Sequence, residues 1–505
     1  MNYSKSISLT FFVRFITTLI IQILSLILNN LILTRYGSDM NGLISTILQI
    51  FSFTTLLEGG VTMLALSKLF IHYRTGDFET VNSIISDTSR YFVKISKIIL
   101  IIGIILSLSF PFFINSTSDF LTIFLLFIVS TLQIFIKFLI FNKFSLVFSL
   151  TNKEYIYTFI SSFFLIIAII FSIVAIYYNF GILFQRIIFT IVPFFSYSFY
   201  VISSKKVLPS IDFNVNKNSS LKISFFNDVM IQKFSLLVFA STDLIFLSIF
   251  SSTIYSSIYS LYFMIFSFVK SILLSLVLSP LNSFGSLDET KDFEKVKVYY
   301  KNYFLLISYF IFVLFGSVTL VSLPFLELYT LNVSDANYLS LNYVILFYFT
   351  FLIDLFTISL GGIINIKGHF KNMRLIAFTS TIINLILTLL LVNFFNIEGV
   401  IIGSIFGYLY MFISLYNLFK EKILQGQDFV FFKPIIVNLI FSILFISLIM
   451  LLFDFNFQDY YQFIIFGVII TIFFAVYLFL INVIFLFIKP RFIITQFLTL
   501  FKGIK

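Results

Sequence analysis

The sequence predicts an all-α polytopic membrane protein. It has about fourteen transmembrane helices, arranged as two six-helix bundles related by a pseudo-two-fold axis along the membrane normal, plus two further C-terminal helices. Three observations carry this reading. First, 60% of the 505 residues are hydrophobic and 11% are charged, with a mean hydropathy of +1.09; so much apolar surface has to face lipid. Second, apolar runs of about 20 residues or more follow one another along the chain. Third, the chain echoes itself: at an offset of about 215 residues, Ile50-Phe51-Ser52-Phe53 falls on Ile265-Phe266-Ser267-Phe268 without a gap. Asp77-Phe78-Glu79-Thr80-Val81 falls on Asp292-Phe293-Glu294-Lys295-Val296 at the same offset, in a charged loop where chance apolar matching does not apply. That offset covers six spans, an even number, so the two halves share one orientation.

The spans are read at 9–33, 40–66, 92–114, 120–142, 155–178 and 182–202, then 223–250, 254–279, 303–323, 339–362, 375–395 and 397–419, and finally 434–453 and 461–488. They are too long and too unalternating for barrel strands, and in hydrocarbon a helix satisfies every backbone N–H and C=O within its own segment. The first span is too long for a signal-peptide core and lacks a small-residue cleavage site, so it is expected to stay. With no Trp, Tyr has to build the interfacial belts. The expected organisation is a bundle at 1–203, a cytoplasmic linker at 204–222, a second bundle at 223–420, and two extra helices with a tail at 421–505. Asp77–Tyr91 and Asp292–Tyr303 read as short amphipathic helices on the inner leaflet.

Loop charges set the orientation. Lys68, Arg74, Arg90, Lys94 and Lys97 flank the second connection; Lys205, Lys206, Lys217 and Lys222 lie around the sixth; Lys489, Arg491, Lys502 and Lys505 sit in the tail. The odd connections carry mainly Asp119, Glu327, Asp335, Glu398, Asp454 and Asp459. The positive-inside rule then puts both termini in the cytoplasm, and it accounts for the net charge of +10 without nucleic acid. Zero Cys and two His argue against metal centres and thiol or imidazole catalysis. No nucleotide loop and no nucleophile–base pair is present, so no cofactor is expected.

Polar residues fall on helix faces. Arg14, Thr18, Gln22, Ser25 and Asn29 share about 80° of arc in the first span. Asn41, Ser45, Gln49, Ser52 and Gly59 line the second, Asp228, Gln232, Ser235, Thr242 and Asp243 the seventh, and Ser252, Ser256, Tyr259, Ser267 and Lys270 the eighth. Any one stripe could be helix-to-helix glue; four at corresponding repeat positions favour a polar cavity between the halves. Ionisable residues within spans are costly and therefore candidates for function. Asp354, on a face with Tyr343, Thr350, Gly361 and Asn365, reads as a proton or sodium coupling site, with a structural partner to Lys270 as the other reading. Asp243 is a second coupling candidate. Lys137 and Lys233 read as snorkelling side chains. Arg186 sits at the outer mouth of the sixth span. Glu58 points away from the Asn41–Gly59 face, so a cavity role needs Gly59-Gly60 to unwind; a hinge or packing role is the alternative.

Tyr36-Gly37, Asn41-Gly42-Leu43, Gln49 and Leu57-Glu58-Gly59-Gly60 followed by a basic loop resemble the start of Wzx-type polysaccharide repeat-unit flippases of the multidrug/oligosaccharidyl-lipid/polysaccharide (MOP) superfamily. Ser241-Thr242-Asp243-Leu244, Ile258-Tyr259-Ser260-Leu261-Tyr262 and Ser279 to Gly285 are similar to that family's second half. The resemblance implies a MATE-like fold, location in the cytoplasmic membrane, and alternating-access transfer of an undecaprenyl-diphosphate-linked oligosaccharide to the outer leaflet. It also implies H+ or Na+ as coupling ion, with a polysaccharide polymerase and chain-length regulator as partners. For such cargo, Arg14, Lys270 and Arg186 are the expected pyrophosphate contacts, and Gln22, Asn29, Asn41, Gln49 and Gln232 the sugar contacts. Asp354 and Asp243 would couple the ion. Rival readings are a multidrug/cation antiporter of the same superfamily, which should hold more cavity acids, and a peptidoglycan-precursor flippase. A membrane polysaccharide polymerase is the enzyme-class rival, and it should carry a long extracytoplasmic loop that this chain lacks.

Overall fold

The structure, a computed structural model, describes residues 3–213, 226–278, 280–281, 293–426, 432–453 and 457–486. All regular structure among them is helical. Eleven helices are long and apolar enough to span a membrane, and the bent pair Asp228–Ser241 with Asp243–Phe250 makes a twelfth span. Two of the eleven are really two spans each, broken at Gly37 (φ 82°) and at Asn396 (φ 46°), so the described residues hold fourteen. Gly37 suits its break because glycine alone enters the positive-φ region without steric cost. The chain is thus a multi-pass membrane protein with the number of spans expected from the apolar runs.

Two compact units emerge from the packing: 1–237 with Ser248–Ser257, and Val238–Leu247 with 258–505. In the first, α1 (Tyr3–Ser52) is followed by α2 (Thr54–Arg74), α3 (Phe78–Ser109), α4 (Phe120–Ile136) and α5 (Asn142–Leu150). Then come α6 (Glu154–Tyr177), α7 (Ile182–Phe194), α8 (Ser196–Val207) and α9 (Phe226–Ser241). One turn of π-helix, Lys137–Phe141, joins α4 to α5. Pro193, which cannot donate to the helix ladder, marks the end of α7. Near one end Ala65, Leu69, Val81, Ile84, Leu146 and Leu150 pack together.

The surface helix expected at Asp77–Tyr91 is not separate from the third span. α3 runs unbroken from Phe78 to Ser109, and Val81, Ile84, Ile85 and Phe92 are buried against protein rather than laid on lipid. Asp77 caps it by accepting from the Thr80 N–H, and the Thr80 hydroxyl together with that N–H holds the half-buried Asp77 carboxyl below the usual carboxylate range. The repeat copy behaves alike: α12 (Phe293–Tyr329) is one helix, and its start lies at the same offset from Phe78 as the sequence echo. Asp292 lies outside the described residues, as do 214–222 of the expected linker and the basic tail.

The second unit continues with α10 (Asp243–Phe250), α11 (Thr253–Leu278), α12, α13 (Leu341–Ile366) and α14 (Phe370–Lys422), and ends with α15 (Phe432–Leu452) and α16 (Tyr460–Phe485). Phe266, Phe315, Phe347 and Phe351 form a ring cluster that joins α11, α12 and α13. The two last helices are pinned to α12 by polar contacts. Asn438 Nδ2 donates to Ser308 Oγ at 3.0 Å, Asn482 Nδ2 to Asn438 Oδ1 at 2.8 Å, and Tyr309 OH to the Ala475 carbonyl at 2.9 Å. Such bonds hold helices together where lipid offers no hydrophobic drive. The opposite face of α16, including Ile464, Val468, Ile472 and Phe473, is exposed and apolar, as a lipid-facing surface requires.

Candidate functional site

The second unit gathers charge and oxygen around Asp243, at the start of α10. Asp243 is buried, and it accepts hydrogen bonds from the Tyr259 hydroxyl at 2.6 Å and from Ser404 Oγ at 3.2 Å. Ser404 in turn accepts from Asn384 Nδ2 at 3.0 Å. Three buried oxygens of this neighbourhood have no hydrogen-bond partner: Thr242 Oγ1, Asn384 Oδ1 and Thr388 Oγ1. The glycines explain how α14 folds back so tightly here. A Cβ at Gly403 would come within 2.3 Å of Thr388 Oγ1, and one at Gly407 within 2.4 Å of the Phe239 ring.

One carboxylate among hydroxyl and amide oxygens is a donor set for a small monovalent cation or a proton. Among the described residues no group of three or more His, Cys, Asp or Glu side chains could hold a multivalent metal.

Next to it stands an ion pair. Lys270 Nζ on α11 bonds the Asp354 carboxylate on α13 and lies 5.7 Å from the centre of the Phe351 ring. The Lys270 side chain is 24% exposed and that of Asp354 8%. Tyr408 on α14 brings its hydroxyl to Asp354. The residue expected to meet a pyrophosphate and the residue expected to couple an ion are therefore partners.

The first unit places its candidates differently. Arg14 is exposed and pairs with Glu154 at the start of α6, 3.1 Å away. Gln22, Asn29 and Gln49 are half-buried along α1. Asn41 is fully buried and donates to Ser257 Oγ at 2.8 Å, so it faces packing rather than open space. Gln232 is buried on α9. Arg186 does not sit at a mouth: it is 8% exposed, on the same face of α7 as Ile182 and Phe189, which pack against Leu28, Ile32 and Ile44 of α1. α2 stays helical through Gly59-Gly60, so the unwinding that a cavity-facing Glu58 needs is absent. The side chain of Glu58 lies outside the described residues.

The residues that pattern reading missed are polar but uncharged, or lie near span ends. Asn384, Thr388, Ser404 and Tyr408 come together only when the two spans of α14 fold back on each other at Asn396. The spacing of Asn384 and Thr388, one helical turn apart in an apolar span, was the available signal. Asp39 was missed as well. It accepts from Ser116 Oγ at 2.7 Å, Ser118 Oγ at 2.9 Å, the Thr117 N–H at 3.2 Å and the Thr253 hydroxyl. Beside it Asn115 Nδ2 donates to the Ile249 carbonyl at 2.7 Å, fastening Ser248–Ser257 within the first unit.

No known family profile matches this chain, and no curated protein matches it by sequence. Solved structures do. The chain is similar to the lipid II flippase MurJ in an inward closed conformation, with a TM-score of 0.64, 14% identity, and coverage of 94% of this chain and 98% of that one. It is also similar to an inward-facing MATE family multidrug resistance transporter of the MOP superfamily, with a TM-score of 0.58, 10% identity, and coverage of 86% and 96%. A point variant of the Vibrio cholerae MATE transporter VcmN gives 0.54, 12%, and coverage of 84% and 99%. The chain therefore has the fold shared by MurJ and the MATE transporters, which bears out the fold implied by the resemblance in its sequence.

Proposed function

We propose that this protein is a flippase that moves a polyprenyl-diphosphate-linked oligosaccharide from the inner to the outer leaflet of the cytoplasmic membrane, by alternating access coupled to a monovalent cation. The observation that carries the choice of cargo is the state of the charges in the second unit. Asp354 is neutralised by Lys270, and Asp243 is turned inward to Tyr259 and Ser404. A carrier of cationic drugs needs an acid open to its cargo. Here the more accessible member of the buried pair is the ammonium, which suits a phosphate oxygen.

In this reading Lys270 contacts the diphosphate and Arg14 attracts it near the lysine-rich face. The half-buried amides Gln22, Asn29 and Gln49 meet sugar. Asp243, with Thr242, Asn384, Thr388 and Ser404 around it, takes the coupling proton or sodium ion, while Asp354 acts through Lys270. Both termini lie in the cytoplasm, the linker at 204–222 joins the bundles, and a polymerase and chain-length regulator use the product. The likeness to MurJ favours a second reading in which the same carrier lipid bears a peptidoglycan precursor. Deletion of the gene followed by analysis of lipid-linked intermediates tests both. Trapped glycan repeat units on the cytoplasmic face support the first reading, and trapped peptidoglycan precursor supports the second. No trapped intermediate of either kind contradicts both.

A further inference from the structure

The Lys270–Asp354 pair has an asymmetry that a purely structural ion pair does not need. Asp354 is the more enclosed partner, while Lys270 keeps about a quarter of its side chain accessible, at 24% against 8%. Its ammonium also rests near the Phe351 ring. An incoming anion can therefore reach the lysine without reaching the carboxylate. An ammonium has three donors and no geometric fork, so it can turn from one oxygen partner to another at little cost. A carboxylate left behind in a buried setting without its cation is costly, and a proton removes that cost.

The surroundings of Asp354 fit this exchange. From α14, Tyr408 brings a hydroxyl to the carboxylate; beyond it are Asp243 of α10 and its partner Tyr259 of α11. From α12, packed on α13, Phe312 stands against Phe356 and Phe315 against Phe351, and further along the Tyr303 hydroxyl engages Ser359. Lys270 is thus the cation that neutralises Asp354 in the resting pair.

We propose that Asp354 is an internal stand-in for the substrate's phosphate: it occupies Lys270 until a lipid-linked diphosphate takes its place, and it then accepts one proton from the medium. Binding of the anion and uptake of a proton at Asp354 are thereby a single linked event, in addition to the cation site at Asp243. This inference rests on the diphosphate cargo proposed above and concerns how that cargo is admitted.

The test is calorimetric titration of the purified full-length protein with a short-chain polyprenyl diphospho-sugar, whose diester charges do not change near neutral pH. Repeating it in buffers of different ionisation enthalpy counts the protons. Wild type should take up about one proton per ligand. Asp354→Asn should bind about tenfold tighter with no proton uptake, because a close charge pair no longer competes. Lys270→Met should lose at least about tenfold in affinity. Binding by wild type with no proton uptake, or unchanged affinity in Asp354→Asn, overturns the stand-in role and leaves the cargo reading intact. Absence of binding by wild type and Asp354→Asn alike overturns the cargo reading itself. Should Asp354→Asn fail to fold, the wild-type proton count decides alone.

Discussion

Asp39 in the first unit and Asp243 in the second are both acids within membrane-spanning helices, and their surroundings differ. Asp39 is saturated by donors from Ser116, Thr117, Ser118 and Thr253. Asp243 has the Tyr259 and Ser404 hydroxyls, while Thr242 Oγ1, Asn384 Oδ1 and Thr388 Oγ1 nearby have no partner. A carboxylate with its full set of donors is a rivet, whereas one among unpaired oxygens is prepared for a cation. The first unit also has unpaired buried groups, such as both amide atoms of Gln185 and of Asn142, but none of these residues is bonded to an acid in the structure. The two units thus treat their acids differently, and in the function proposed here the acid of the second unit holds the exchangeable charge.

Asp243→Asn carries the largest expected effect. The variant preserves shape and removes charge, so cation-dependent flipping in proteoliposomes should fall at least about thirtyfold while thermal stability changes little. For the first unit the effects should appear as stability instead. Gly42→Ala puts a Cβ 1.7 Å from the Thr253 carbonyl oxygen, a backbone atom that cannot turn aside, and should cost about 3 kcal/mol in detergent melting. Gly407→Ala meets a phenyl ring that can rotate, and should cost less. Asp39→Asn should lose about 2 kcal/mol, since charge-assisted bonds are weakened rather than removed, and should leave the dependence of transport on the cation unchanged. The smallest effect is expected for Arg14→Gln. Its pair with Glu154 is exposed on both sides and should contribute less than about 1 kcal/mol.

The spans were legible in the sequence because apolar runs of membrane length override every local preference, and the breaks at Gly37 and Asn396 fall between expected spans. The extension of α3 and α12 past the membrane was not. An amphipathic face looks the same whether lipid or a neighbouring helix covers it, and only the packing of Val81 and Ile84 on Ala65 and Leu69 distinguishes the two. Asp243, Asp354 and Lys270 were found as charges in apolar runs. That the last two meet was named only as an alternative, because helical phase says which face a residue is on and not what stands opposite. Asn384, Thr388 and Ser404 carry no charge, and they gain their meaning from an acid on another helix.

The cargo we propose is an anionic lipid-linked sugar and not a cation. The most direct measurement loads proteoliposomes with a fluorescent polyprenyl diphospho-sugar on one leaflet and follows its appearance on the other, with and without an imposed proton or sodium gradient. A cationic dye serves as the competing cargo. Protein-dependent, gradient-stimulated flipping of the diphospho-sugar is expected, with no movement of the dye. Movement of the dye with no flipping of the diphospho-sugar contradicts it.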